Sequence, residues 1–218
     1  MAEKIAFIGL GQGLGRSVLK FLAAETTARS IFVLQRKEPL DLPDGALMTT
    51  HWQKCDLSQS DSLSTAATAL KEWQPERLWF FAGGGPYGEF QNKKWSAHEW
   101  ALQVGLLGLM KLSHDLLSQN VLKQMIVTGS LIADDRDPWA SSYSASKAGL
   151  AAWVKSLQGE SPNFDARLFR PTYFSGGLLP SPSLPERLQL VQRPDGLGQN
   201  FVRWALNPLF HSTNFALS

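Results

Sequence analysis

The sequence predicts an α/β protein: a parallel sheet of six to seven strands with helices on both faces. Two observations carry that expectation. Short apolar runs of strand length alternate with stretches of helical period along the chain, the pattern of successive strand–helix–strand crossovers. The first run, Lys4-Ile5-Ala6-Phe7-Ile8, empties into a glycine-rich loop that leads straight into a helix. Strand, glycine loop and helix together aim backbone N–H groups and a helix N-terminus at a phosphate. The 218 residues, 44% hydrophobic and 18% charged, suit a globular chain with a sizeable core. With no internal repeat and no linker-like stretch, residues 1–218 are read as one domain.

Taken in order, residues 4–8 are a fully buried first strand. The loop Gly9-Leu10-Gly11-Gln12-Gly13-Leu14-Gly15 precedes helical spacing over 16–25, with Val18, Leu19 and Leu22 on one face. Residues 30–34 form the second strand and end at Gln35-Arg36-Lys37. An acid here would accept hydrogen bonds from an adenosine ribose. None is present, and Arg36 and Lys37 offer cations where a 2′-phosphate would lie. A solvated basic turn is the alternative. Residues 46–53 form the third strand and run into Cys55-Asp56-Leu57-Ser58. Ser58 is expected to cap a helix over 59–73, with Asp61 in its first turn.

Residues 77–81, Arg77-Leu78-Trp79-Phe80-Phe81, are the fourth strand, followed by Ala82 and three glycines. Residues 95–120 read as a short helix and then a long one with a leucine-rich face. The fifth strand, Met125-Ile126-Val127-Thr128-Gly129-Ser130, leads to a helix over 141–157, and a sixth strand spans 163–170. Five prolines between 171 and 194 mark a long segment, read as a substrate lid at about 172–194. A helix over 195–206 and a last strand within 213–217 complete the chain.

The chemistry concentrates in Ser141-Ser142-Tyr143-Ser144-Ala145-Ser146-Lys147. On a helix, Tyr143 and Lys147 stand one turn apart on the same face. A cation beside a phenol lowers its pKa from about 10 and yields a proton donor usable near neutrality. A carbonyl needs such a donor while it is reduced. Ser130, at the end of the fifth strand, can hydrogen-bond the same oxygen as charge develops on it. A bare Tyr-x-x-x-Lys is a weak signal; the strand-end serine and the glycine loop strengthen it.

These residues resemble the short-chain dehydrogenase/reductase family from about residue 4 to about residue 172. Ser130, Tyr143 and Lys147 match its serine, tyrosine and lysine in order and spacing, and Gly9-x-x-x-Gly13-x-Gly15 matches its glycine loop. The resemblance implies a Rossmann-type doubly wound sheet. It also implies a nucleotide held by Gly9, Gly13, Leu14, Gly15, Arg36, Asp56, Leu57, Ala82, Gly83, Tyr143, Lys147 and Pro171. Asp56-Leu57 would cap the adenine ring, and Ala82-Gly83 matches the latter half of the family's Asn-Asn-Ala-Gly. The chain departs from the pattern at Ile8, Phe80, Phe81, Gly105 and Thr172. Gly105 stands where the family's asparagine supports a water that feeds protons to the lysine; a helix kink there could leave a carbonyl free for water instead.

The leading reading is an NADP-dependent oxidoreductase that interconverts a small-molecule carbonyl and a secondary alcohol, with NADP(H) favoured over NAD(H). Tyr143 is the acid/base, Ser130 orients the carbonyl, and Lys147 assists Tyr143 and holds the nicotinamide ribose. The rival is a catalytically weak or inactive dinucleotide-binding sensor or partner protein. Sugar-nucleotide epimerase or dehydratase chemistry is disfavoured, since only ~45 residues follow Pro171 and that chemistry needs a larger substrate domain. Net charge of +2 with interspersed signs argues against nucleic acid. Cys55, the one cysteine, allows no internal disulfide and is read as a small, partly buried residue. His51, His98, His114 and His211 share no metal-ligand spacing, so no metal is expected and all four are read as ordinary surface or satisfied residues. No apolar run reaches the ~18 residues of a membrane span, and no signal peptide is recognised, so a cytoplasmic protein is expected. The small residues Ala145, Ala148, Gly149, Ala151 and Ala152, with the family's mode of pairing, imply a homodimer or homotetramer.

Overall fold

The computed structural model describes residues 2–131, 138–171, 174, 192–208 and 214–216. Seven strands make one sheet in the order β3-β2-β1-β4-β5-β6-β7. They are β1 Glu3–Ile8, β2 Arg29–Gln35, β3 Met48–Lys54, β4 Arg77–Phe80, β5 Gln124–Thr128, β6 Asp165–Arg170 and β7 Asn214–Ala216. Every neighbouring pair is parallel. The helices are α1 Leu14–Ala23, α2 Ser60–Trp73, α3 Trp95–Leu102, α4 Gly108–Ser118, α5 Ser141–Glu160 and α6 Pro194–Leu206. Among the described residues no helix is long and apolar enough to cross a membrane.

Strand periodicity divides the core between the two faces of the sheet. Ala6, Ile8, Phe32, Leu34, Leu78, Phe80 and Val127 pack with α2, α4 and α5. Ile5, Phe7, Ile31, Val33, Trp79 and Ile126 pack with α1 and α6. On that second face Phe201 of α6 meets Trp79 and Phe169 at ring-centroid separations of 5.2 and 5.0 Å. Strands buried on both sides explain why the sequence runs apolar without alternation.

Element boundaries agree with the sequence expectation to within three residues. Two local readings change. Ser58 does not cap α2: the N-cap is Gln59, without a side-chain cap bond. The Ser58 amide and hydroxyl instead donate to Asp56 Oδ1, at 2.9 and 2.7 Å. A neighbouring carboxylate outcompetes the helix end for the serine. Cys55 is fully buried rather than partly so, and burial pushes its thiol up to about 11. Of the expected lid at 172–194, only Phe174 and 192–194 fall among the described residues.

The helical run over 95–118 is broken once. Gln103–Leu107 form a π turn, closed by the Gly108 amide donating to the Gln103 carbonyl. Gly105 lies at its centre, so the helix is irregular at this glycine. A Cβ on Gly105 would stand 2.7 Å from Ser146 Oγ and 3.0 Å from Ser146 Cβ. The α5 helix occupies the room that a larger side chain would need.

Candidate active site

Strand order reverses between β1 and β4. In an open parallel sheet the crevice at such a reversal, beyond the carboxyl ends of the strands, is where ligands settle. A cavity of about 830 Å³ lies there. Every site residue expected from the sequence lines it: Gly9, Gly13, Leu14, Gly15, Arg36, Asp56, Leu57, Ala82, Gly83, Ser130, Tyr143, Lys147 and Pro171.

The glycine loop forms one wall. Gly9 has φ +81°, and a Cβ there would stand 2.7 Å from that of Ala82. Only glycine lets the loop after β1 pass so close to the end of β4. Helix α1 starts at Gly13 with no side-chain cap and no acid in its first turn. Its leading N–H groups lack intrahelical acceptors, and Gly13, Leu14 and Gly15 face the cavity. Unclaimed donors at a positive helix end fit a dinucleotide's phosphates. Gln35 fastens this wall: its Oε1 accepts from the Gly11 amide at 3.2 Å, and its Nε2 donates to the Lys37 carbonyl at 2.6 Å.

Beyond the glycine loop the wall becomes charged and aromatic. The Arg36 guanidinium lies 5.8 Å from the Trp100 ring centroid, within cation–π range. Burial pushes the Asp56 carboxyl up, but the two Ser58 hydrogen bonds, then the Arg36 and Lys54 charges, outweigh it and hold it below its ordinary value. Trp100 and Gln35 line this region and were missed in the sequence. Each acts with a residue at least 24 positions away, at Arg36 or Gly11, so no local pattern announces them.

At the other end Tyr143, Ser130 and Lys147 converge from the first turns of α5 and the end of β5. Lys147 is only 3% exposed. Its Nζ donates to the Thr128 carbonyl at 2.7 Å and the Ala82 carbonyl at 3.3 Å, and stands 5.7 Å from the Tyr143 ring centroid. Phe80, in place of the family's asparagine, presents its ring 5.8 Å from the same ammonium. Desolvation lowers the lysine from 10.5 to about 7. Desolvation thus works against the ammonium that the sequence reading places beside the phenol.

A buried pair steadies the start of α5. His98 Nδ1 lies 2.5 Å from the Ser142 hydroxyl and Nε2 lies 3.1 Å from the Phe90 carbonyl. A carbonyl only accepts, so in the neutral ring Nε2 donates to it and Nδ1 accepts from Ser142. The reading of His98 as a satisfied residue agrees with this; its position under Tyr143's helix was not legible.

Among curated proteins none is similar enough in sequence to match. Solved structures do match. An alcohol dehydrogenase from the archaeon Thermococcus sibiricus, complexed with 5-hydroxy-NADP, superposes with a TM-score of 0.79 at 16% identity, over 100% of this chain and 96% of that one. A short-chain dehydrogenase from Sphingobium yanoikuyae in complex with NADPH gives 0.78 at 19% identity, covering 94% and 83%. A bulky-bulky ketone specific alcohol dehydrogenase from Comamonas testosteroni gives 0.77 at 18%, covering 94% and 81%. At such identities these likenesses speak for the fold. The family itself follows from the sequence: residues 3–167 match the short chain dehydrogenase family model, and the chain belongs to the short-chain dehydrogenase/reductase family.

Proposed function

We propose that the protein is an NADP-dependent oxidoreductase that interconverts a carbonyl and a secondary alcohol, with Tyr143 as acid/base. One observation carries the reading. A tyrosine, a serine and a buried lysine share a single cavity with a glycine loop and an uncapped helix N-terminus. The glycine loop and the first turn of α1 would hold the phosphates, and Asp56 with Leu57 would border the adenine. Arg36, with Lys37 beside it, would meet a 2′-phosphate. Two structural neighbours being solved with NADPH and an NADP derivative supports the same cofactor class.

The nicotinamide, when bound, supplies the hydride. The chain's own residues handle the proton and the developing charge. Tyr143 donates its hydroxyl proton to the substrate oxygen, and Ser130 donates a hydrogen bond to that oxygen as negative charge grows. Lys147, when charged, favours the Tyr143 phenolate and makes the phenol a stronger acid. It would also turn Nζ toward the nicotinamide ribose. Ala145, Ala148 and Leu107 are exposed on α5 and the π turn, which supports an isologous homodimer or homotetramer. A cytoplasmic setting accords with the single buried cysteine.

A second reading, a dinucleotide-binding sensor, is favoured by one observation: the backbone carbonyls of Ala82 and Thr128 already engage Lys147 Nζ. Tyr143→Phe separates the two readings. The ring's packing survives, so NADPH affinity should stay near the wild-type value. Turnover on a panel of aldehydes, ketones and quinones should fall about 10²–10⁴-fold. Wild-type turnover in the variant would refute the acid/base role. NADPH binding without reduction of any carbonyl by the wild type would favour the sensor.

A further inference from the structure

The segment that follows β2 is tied down on two sides. Gln35 Nε2 donates to the Lys37 carbonyl at 2.6 Å. Arg16, in the first turn of α1, donates to the Leu40 carbonyl and stands 3.9 Å from the Asp41 carboxylate. Arg36 leaves this segment as an exposed side chain that lines the cavity. The other charged groups at that end are Arg16, Lys37, Glu38 and Asp56. Among the described residues Arg36 makes no hydrogen bond or ion pair, and the Asp56 carboxylate feels its charge at longer range. Its fixed contact is the indole of Trp100, whose centroid lies 5.8 Å from the guanidinium carbon.

Trp100 is built to hold an arginine still. It stands half-buried in α3 and packs against the core shared with α2, α4 and α5. A Cβ on Gly84 would stand 3.0 Å from both Cη2 and Cζ3 of the ring, so the far edge of the indole lies against the loop after β4. An arginine that grips a ligand loses rotamer freedom, and one arranged beforehand loses less. A cation–π contact uses none of the guanidinium's N–H donors, so all five stay available for phosphate oxygens. The indole therefore holds the cation without competing with its ligand.

We propose that Trp100 is a positioning residue for cofactor choice: its indole holds Arg36 in place for a 2′-phosphate and so raises affinity for NADPH but not for NADH. The proposal rests on the NADP reading of the site, and its test reads binding rather than turnover. Wild type and variants are titrated with NADPH and with NADH by calorimetry. A cation–π contact at an exposed site corresponds to about two- to five-fold in affinity. Trp100→Leu should weaken NADPH binding by that factor and leave NADH binding near the wild-type value. Trp100→Phe, which retains a ring face, should keep more of the preference than Trp100→Leu. In an Arg36→Ala background Trp100→Leu should change the NADPH/NADH ratio no further, a coupling that a purely structural role would not produce.

An equal fall for both cofactors in Trp100→Leu would overturn the proposal, because the indole would then support the adenine or the fold. So would an unchanged ratio, or a Trp100 effect that persists once Arg36 is gone. Urea unfolding reports whether each variant is folded. Should Trp100→Leu fail to fold, Trp100→Met, which fills more of the same volume without a ring, decides by the same ratio. A wild type that prefers NADH would sink the NADP reading together with the proposal. A wild-type preference for NADPH that Trp100→Leu leaves unmoved would sink the proposal alone.

Discussion

Replacing Lys147 by methionine tests the electrostatics of the site without reference to any substrate. The lysine is buried, its Nζ is held by the Ala82 and Thr128 carbonyls, and no carboxylate among the described residues pairs with it. Desolvation takes its pKa from 10.5 to about 7. Between those values the unfolded chain holds a proton that the folded chain has released. Stability therefore rises with pH across that window and is flat below it. The slope is about 1.4 kcal/mol per pH unit, so the ligand-free wild type should gain roughly 2 kcal/mol between pH 7 and 8.5. Lys147→Met removes the titration but keeps the apolar stem. It also strands two carbonyls, at about 1–3 kcal/mol each, an offset that does not change with pH. Burial raises the Cys55 thiol, which works in the opposite sense above its ordinary value of 9.0; it is common to both proteins and cancels in their difference. Urea unfolding at pH 7.0, 7.5, 8.0 and 8.5 measures that difference. A stability difference that moves by about 2 kcal/mol in favour of the wild type from pH 7.0 to 8.5 supports the depressed lysine, and parallel stability curves would refute it.

Two further variants address the nucleotide and the π turn. Arg36→Ala should weaken NADPH binding by about 10-fold or more, the scale of a charge-assisted hydrogen bond, and should narrow its advantage over NADH; calorimetry giving NADH equal or better affinity in the wild type would contradict the 2′-phosphate assignment. Gly105→Asn, which installs the family's usual residue, should destabilise the protein by about 1–3 kcal/mol through overpacking, because its Cβ would stand 2.7 Å from Ser146 Oγ. Adding Ser146→Ala should recover part of that loss, and an unchanged unfolding midpoint for the single variant would show that the turn and α5 can separate.

What the sequence made legible was whatever depends on neighbours within a turn or a strand. The apolar runs at 4–8 and 30–34 read as buried strands, and both are strands. Tyr143 and Lys147 share a helix, so their common face followed from their spacing. The parallel direction of the strands followed from alternation with helices. The illegible features are contacts across crossovers. Arg36 with Trp100, Tyr87 with Trp139, and His98 with Ser142 pair residues from separate elements, and nothing in either local sequence names the partner. The depressed lysine is of the same kind. It arises because β4, β5 and α5 close together over one amine, with Phe80 where a polar residue was usual for the family.

The departures from the family pattern make one physical argument when taken together. Phe80 is fully buried and lies against Lys147. Phe81 stacks on Phe7 at 5.5 Å and meets Phe201 at 5.2 Å. Polar side chains at these positions would have stitched strand ends together and partly solvated the amine; rings pack the sheet instead and leave the amine to two carbonyls. At Gly105 the lost side chain has been replaced by packing, since Ser146 occupies its place, while the π turn remains. A π turn shifts the local hydrogen bonding from i→i+4 to i→i+5 and marks functional sites more often than chance. The π turn is therefore present at the position where the family's asparagine side chain is absent. A carbonyl only accepts hydrogen bonds, so under the proposed reductase reading a relay at this turn would need water held by main-chain carbonyls in place of the asparagine side chain.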